Sequence, residues 1–210
     1  MDQPHFRYET LAMRGGARHV AGVDEVGRGP LCGPVTAAAV ILNPGAIPSG
    51  LNDSKRLTAA RRQTLAEQIR KTSIWSVVHV GVADIDRLNI YHAAHLAMCR
   101  AVSALTRVPC LALVDGNALP RALPCAGLAV VKGDAISQSI AAASILAKVA
   151  RDELMVDLAQ QHPGYGWERN AGYGTADHLA ALLHLGVTPH HRRSFRPVHN
   201  ILYQDEIANP

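Results

Sequence analysis

Aromatic residues make up only 4% of this 210-residue chain, and its four cysteines lie far apart. Cys32, Cys99, Cys110 and Cys125 form no C-x-x-C pair, which excludes a zinc ribbon and a disulfide framework and leaves reduced thiols as the expectation. No apolar run is long enough to span a bilayer, since the segments near 35–42 and 140–150 are too short or too rich in alanine. The first residues include Asp2, Arg7, Glu9 and Arg14 and hold no apolar secretory core. Heptads and low-complexity tracts are missing too, and Gly164-Tyr165-Gly166 is echoed only once, by Gly172-Tyr173-Gly174. These absences point to a soluble, cytoplasmic protein without membrane attachment.

What is present suffices for a packed core: 48% of residues are hydrophobic and 18% charged. The length fits one domain over 1–210, with an N-terminal extension over about 1–17 and a helical and loop segment over about 160–210. A net charge of +4 fits a polyanionic partner without demanding one.

The pattern predicts strands over 19–26 and 34–42, joined by a loop rich in Gly and Pro, then a polar loop to Lys55. Thr58 is placed to cap a helix reaching about Lys71, and a strand follows over 74–82. Helices are expected over 84–88 and 90–105, strands over 110–114 and 128–131, and a long Ala-rich helix over 135–160. A Gly-rich loop (164–174), a helix (176–185) and a basic tail segment (190–196) complete the chain. Strands first, then strands alternating with helices, indicate an α/β fold around a mixed sheet.

The most informative stretch is Gly22-Val23-Asp24-Glu25-Val26-Gly27-Arg28-Gly29-Pro30. Neighbouring residues on a strand point to opposite faces, so Asp24 and Glu25 share one site only where the strand ends or bends, and Gly27 and Gly29 permit that. Asp115 and Asp134 also end or directly follow apolar strands, the positions where α/β sheets build sites. Four such carboxylates can converge on one sheet edge and hold two Mg²⁺ or Mn²⁺ ions about 3.5–4 Å apart, the arrangement of in-line phosphoryl displacement. Each acid has a plainer reading: Asp115-Gly116 is a common turn pair, Asp134 suits the N-cap of the next helix, and Asp24 and Glu25 can pair with Arg28 or Lys55. Four together, none in a polar run, favour a site.

The same stretch resembles the signature of bacterial ribonuclease HII. The likeness continues through Leu51-Asn52-Asp53-Ser54-Lys55-Arg56-Leu57-Thr58, Val114-Asp115-Gly116-Asn117 and Val131-Lys132-Gly133-Asp134. It runs on through Ala142-Ala143-Ser144-Ile145-Leu146-Ala147-Lys148-Val149-Ala150-Arg151-Asp152, His162-Pro163-Gly164-Tyr165-Gly166, Gly172-Tyr173-Gly174-Thr175 and His191-Arg192-Arg193-Ser194-Phe195. The resemblance implies an RNase H-like fold, a mixed central sheet flanked by helices with a helical C-terminal extension. It implies hydrolysis of the RNA strand of RNA–DNA hybrids and incision 5′ to single ribonucleotides embedded in duplex DNA, leaving 3′-OH and 5′-phosphate ends.

Carried over by position, Asp24, Glu25, Asp115 and Asp134 are the metal-binding and catalytic acids, acting with two Mn²⁺ or Mg²⁺ ions. Gly27-Arg28-Gly29 reads the ribose 2′-OH through its backbone, and Tyr173 packs on that ribose. Lys55, Lys148 and the Arg192-Arg193 pair are the candidate phosphate contacts, and His190-His191-Arg192-Arg193 reads as a solvated basic patch near nucleic acid. Tyr165 and Trp167 either stack on substrate or anchor their loop on the core. Ala171, Ala141 and Cys32 depart from the family pattern without touching the acids. A monomer is expected. The rivals are another RNase H-like nuclease, which would cut all-DNA substrates, and a non-catalytic hybrid-binding protein, for which four gathered acids beside phosphates would be a handicap.

Overall fold

A computed structural model describes residues 3–203. Five strands form one sheet: β1 (Val20–Val26), β2 (Val35–Ile41), β3 (Ile74–Val80), β4 (Leu111–Asp115) and β5 (Ala126–Val130). Their spatial order is β3-β2-β1-β4-β5. The first three pair antiparallel, while β4 and β5 add in parallel beside β1, which makes the sheet mixed.

Alternation along β2 shows how the layers form. Ala37, Ala39 and Ile41 pack with Ala93, Ala97, Met98 and Ala101 of α4 (Ile90–Ser103) on one face. Ala38 and Val40 pack on the other face with Leu65 and Ile69 of α2 (Ala59–Thr72) and with Ala142–Val149 of α5 (Gln138–Gln161). Every residue of β2 is buried, and its alanines let helices approach closely from both sides. Thr58 caps α2, accepting from the Arg61 amide at 3.2 Å, as its side chain predicts. No helix among the described residues is long and apolar enough to cross a membrane.

The strands and long helices fall where the pattern predicts them, within a few residues. Three short helices do not follow from the sequence: α1 (Arg7–Arg14), α6 (Trp167–Asn170) and α8 (Arg196–Leu202). Between them lie α3 (Val82–Leu88) and α7 (Ala176–Leu185). The long helix begins at Gln138 rather than near Ala135, because a 3-10 turn over Gly133–Ala135 precedes it.

Candidate active site

Strands β1 and β4 pair from Val20 with Leu111 to Val23 with Val114. Beyond that point β1 is held by β2 alone, as far as Val26 with Thr36, and β4 ends at Asp115. The sheet therefore opens between the carboxyl ends of two parallel strands, with Asp24 and Asp115 on either side. Open α/β sheets place ligands in such a crevice. Alternation sets Asp24 on the α5 face with Gly22, and Glu25 on the α4 face with Val23. This corrects the expected bend: β1 stays paired through both acids, and they flank the opening from two faces.

Helix α5 reaches this edge because residue 22 has no side chain. A Cβ on Gly22 would lie 2.0 Å from the Ser139 carbonyl carbon and 2.3 Å from the Ile140 nitrogen, so the helix start rests on bare backbone. That contact brings the preceding turn, with Asp134, beside Asp24. The Gly133 amide donates to Asp115 Oδ1 at 2.6 Å, tying the turn to the end of β4. Helix capping falls to Ser137, whose hydroxyl accepts from the Ile140 amide at 3.2 Å, so the N-cap reading of Asp134 does not hold.

Asp24 and Asp134 are 6% and 8% exposed, and their surroundings oppose ionisation. Burial raises the Asp24 pKa well above the ordinary aspartate range, and the charges of Glu25, Asp115 and Asp134 add to it. Burial likewise raises Glu25, with Arg28 opposing and Asp115 reinforcing. Asp134 is raised by burial, then by Asp115 and Asp53, with Lys55 opposing. For Lys55 burial pulls downward, but Asp53, Asp134, Asp24 and Asp115 outweigh it and raise the amine.

Each acid is partly engaged by the protein. Asp24 Oδ1 accepts from the Glu25 amide at 2.7 Å, Glu25 Oε1 faces Arg28 at 3.3 Å, and Asp134 Oδ2 lies 3.9 Å from Lys55 Nζ. Glu25 Oε2 is buried without a hydrogen-bond partner among the described residues. Also among those residues, no three His, Cys, Asp or Glu side chains already stand as a finished cage for one ion. The set nonetheless fits hard divalent cations: all donors are carboxylate oxygens, three are destabilised as anions by burial and one another, and one oxygen is orphaned.

Beside the acids lies the loop Gly27–Pro34. Gly27 has φ +90°, and a Cβ there would sit 2.2 Å from Arg151 Nε, so only glycine fits. Gly29 is covered by the Tyr173 ring, whose Cε1 is 3.3 Å from where a Cβ would be. Arg28 and Tyr173 are both exposed, which suits contact with a ligand lying over the loop.

The basic residues divide. Lys55 stands exposed at the rim, on a turn where Asp53 Oδ1 accepts from the Lys55 amide at 2.9 Å, as its loop position suggests. Arg193 is exposed, and its backbone is anchored by Asp86. Lys148 is held by Asp152 at 2.7 Å, one turn along α5. Arg192 departs from the expected phosphate contact: it is fully buried, and its guanidinium donates to the carbonyls of Gly27, Arg28, Gly33 and Pro34. Arg151, also fully buried, donates to the carbonyls of Cys32, Pro34 and Ala171. Two cations thus brace the loop from behind without touching solvent.

His191 is buried as well, so only half of the expected basic patch is solvated. Trp167 and Tyr165 anchor their loop on the core: Trp167 Nε1 donates to His178 Nε2 at 3.0 Å, and the Tyr165 hydroxyl to the Gly186 carbonyl at 2.8 Å. His178 Nδ1 reaches the Tyr173 carbonyl at 2.9 Å. The sequence did not single out Arg151, His178 or Ser144, whose hydroxyl lies 3.0 Å from that of Ser54 and whose bond to the Asp24 carboxyl partly opposes the rise in its pKa. A concavity of about 770 Å³ lies elsewhere, against α1 and Ile136.

The chain and its architecture are similar to those of known proteins. A family model described as Ribonuclease HII matches residues 21–198. Ribonuclease HII of Paracoccus denitrificans (strain Pd 1222) is 66% identical over 99% of this chain and 99% of its own length. That of Cereibacter sphaeroides (strain ATCC 17029 / ATH 2.4.9) is 62% identical over 99% and 98%. The crystal structure of the ribonuclease H2 from Pyrococcus horikoshii OT3 superposes with a TM-score of 0.76 at 25% identity, covering 91% of this chain and all of that one. Family, fold and the enzyme class therefore agree: the chain belongs to the ribonuclease HII family and is a ribonuclease H.

Proposed function

We propose that this ribonuclease H, acting as one catalytic domain and as a monomer, cuts the RNA strand of RNA–DNA hybrids and incises 5′ to single ribonucleotides in duplex DNA. The observation that carries the reading is the juxtaposition at one sheet edge. Asp24, Glu25, Asp115 and Asp134 stand beside a loop whose Gly29 is overlain by Tyr173. Chemistry on a phosphate and recognition of the adjoining ribose would then share one platform.

Asp24, Glu25, Asp115 and Asp134 would hold divalent cations, Mg²⁺ or Mn²⁺. Two such ions supply, when bound, the positive charge that activates an attacking water and offsets charge on the leaving oxygen. The protein's own part is to keep the acids apart yet adjacent: Gly133 orients Asp115, the Glu25 amide orients Asp24, and Gly22 admits α5 with the Asp134 turn. Arg192 holds the Gly27 and Arg28 carbonyls and Arg151 the Cys32 and Pro34 end of the same loop, which would keep a fixed backbone shape against which a 2′-OH can be tested. Because this hydroxyl is read and not used as nucleophile, the products should carry 3′-OH and 5′-phosphate ends. Lys55 and Arg193 at the exposed rim supply charge for the phosphate backbone.

The test compares three labelled duplexes of one sequence: all-DNA, RNA–DNA hybrid, and DNA with one ribonucleotide. Cleavage of the last two, cut 5′ to the ribonucleotide and abolished by EDTA, is the expected result. Equal cleavage of the all-DNA duplex, or full activity in EDTA, overturns the proposal.

A further inference from the structure

Glu9 lies outside the segment matched by the family model, yet it is fully buried. It sits in α1, and its Oε1 accepts from the Ser137 hydroxyl at 2.6 Å and from the Ser139 amide at 3.0 Å. These are the cap residue and the second residue of α5. Its other oxygen, Oε2, is buried with no hydrogen-bond partner among the described residues. Burying a carboxylate beneath a helix is costly, and a surface helix needs no such anchor merely to cover apolar area. One oxygen that accepts from both a cap hydroxyl and an amide of the same helix start holds that segment in register.

The segment it holds carries Asp134. The Ser137 amide donates to the Gly133 carbonyl at 2.8 Å, closing the turn that contains this acid. On the outer side His5 grips the same segment with its backbone: its amide donates to the Ile136 carbonyl at 2.8 Å, and its carbonyl accepts from the Gln138 amide at 3.3 Å. On the inner side Ser139 and Ile140 rest on Gly22, two residues before Asp24. The Asp134 turn is thus clamped between β1 and the N-terminal helix. Asp115 and Asp53 oppose the charge on Asp134, and the Glu9 contacts hold the helix start behind that turn.

We propose that Glu9 is a positioning residue for the reaction: through Ser137 and Ser139 it holds the turn that carries Asp134 beside Asp24 and Asp115, so that the acids can take up divalent cations together. The inference rests on the assignment of Asp134 to the metal-holding set. A residue that supports a metal-binding side chain costs about 10- to 100-fold in affinity or activity when removed, because a displacement of about 1 Å suffices.

Four proteins are compared: wild type, Glu9→Ala, Glu9→Gln and Asp134→Asn. Each is titrated with Mn²⁺ alone, following the rise in melting temperature, and assayed for kcat and KM at saturating Mn²⁺ well below its own melting temperature. Glu9→Ala should raise the Mn²⁺ midpoint and lower kcat, each by about tenfold, with KM for the duplex within about twofold. Glu9→Gln keeps the accepting Oε1 and should recover most of both losses; if Glu9→Ala does not fold, Glu9→Gln is compared with Glu9→Asp, whose shorter side chain cannot reach both donors and should show the losses. A Glu9→Ala protein that melts lower but keeps wild-type kcat and Mn²⁺ midpoint overturns the proposal. Loss of kcat with KM rising in parallel overturns it too. Asp134→Asn separates the two levels: if it keeps wild-type turnover, the assignment of Asp134 fails, whatever Glu9 does.

Discussion

Arg192 donates through Nη2 to the Gly27 carbonyl at 2.6 Å, across 165 residues of chain. The same guanidinium reaches Arg28, Gly33 and Pro34, and Arg151 beside it fastens Cys32, Pro34 and Ala171. Burial, and then the charge of Arg151, lower the Arg192 pKa to about 9. Two like charges so placed repel and lose hydration, and a fork of donors aimed at backbone carbonyls is the compensation. The cost falls at the loop proposed above to meet the ribose.

Arg192→Lys should therefore behave unlike a conservative change. An ammonium offers three donors on one atom and cannot span four carbonyls set around a planar fork. Stranded carbonyls cost about 1–3 kcal/mol each way the site fails to relax, so a loss of about 2 kcal/mol is expected. In a chain of this size that is a melting temperature lower by roughly 4–8 °C. Incision at a single ribonucleotide should fall more than hybrid cleavage, because a hybrid offers many registers in which a loosened loop can still find a 2′-OH. Thermal unfolding and the ratio of the two rates check this; equal loss on both substrates counts against it.

Stability should fall on mild acidification through His191. Trp167 donates to His178 Nε2, so the His178 proton sits on Nδ1 facing the Tyr173 carbonyl. The Thr188 amide donates to His191 Nδ1 at 3.0 Å, so His191 donates from Nε2 to His178 Nε2 at 3.1 Å. Every polar atom is satisfied while both rings are neutral. Burial, then His178, lower the His191 pKa from 6.5 to about 3. The unfolded chain takes up a proton below about pH 6.5 that the folded one refuses, so this stabilisation is present above that pH and lost as pH falls towards 3. Between about pH 7.5 and about pH 5 the loss is on the order of 2 kcal/mol. The raised acids Asp24, Glu25 and Asp134 respond in the opposite direction, so the effect is read as a difference: urea unfolding at the two pH values should show wild type losing about 2 kcal/mol more than His191→Gln, which lacks the titrating group.

Gly22→Ala tests the seat of α5. The added methyl would meet Ser139 and Ile140 backbone atoms, which no rotamer change can clear. Overpacking of this kind costs about 3 kcal/mol, and here it also levers the Asp134 turn away from Asp24. Calorimetry and hybrid cleavage should both show losses. An unchanged melting temperature would mean that the helix start is not seated on β1 as described.

The acids, the strands carrying them and the long helices were legible in the sequence because each has a local signature: an apolar run, a cap, a carboxylate where the run stops. The brace behind the loop was not. His190-His191-Arg192-Arg193 reads as surface charge, and the partners that bury Arg192 are backbone carbonyls, which leave no mark on the sequence. Glu9 escaped for the same reason, since its donors are a serine hydroxyl and an amide 128 and 130 positions away. For Asp134 two readings were open, and Ser137 takes the cap role from it.

Asp24→Asn and Asp115→Asn should uncouple stability from activity. Asparagine keeps an oxygen for the contacts that orient each side chain: the Glu25 amide at residue 24 and the Gly133 amide at residue 115. The folded frame is therefore retained. What disappears is a negative charge, and at residue 24 that charge is opposed by burial and by Glu25, Asp115 and Asp134. In the absence of divalent cations Asp24→Asn should thus melt higher than wild type by roughly 2–4 °C, corresponding to about 1 kcal/mol. Added Mg²⁺ or Mn²⁺ should stabilise wild type much more than the variant, since binding to the native state raises the melting temperature only where a site exists. Cleavage should fall about 1,000-fold in either variant, the scale on which loss of preorganised charge is felt. A gain in stability with no loss of turnover would mean that Asp24 is a strained structural acid, and the assignment of the four-acid site would have to be rebuilt without it.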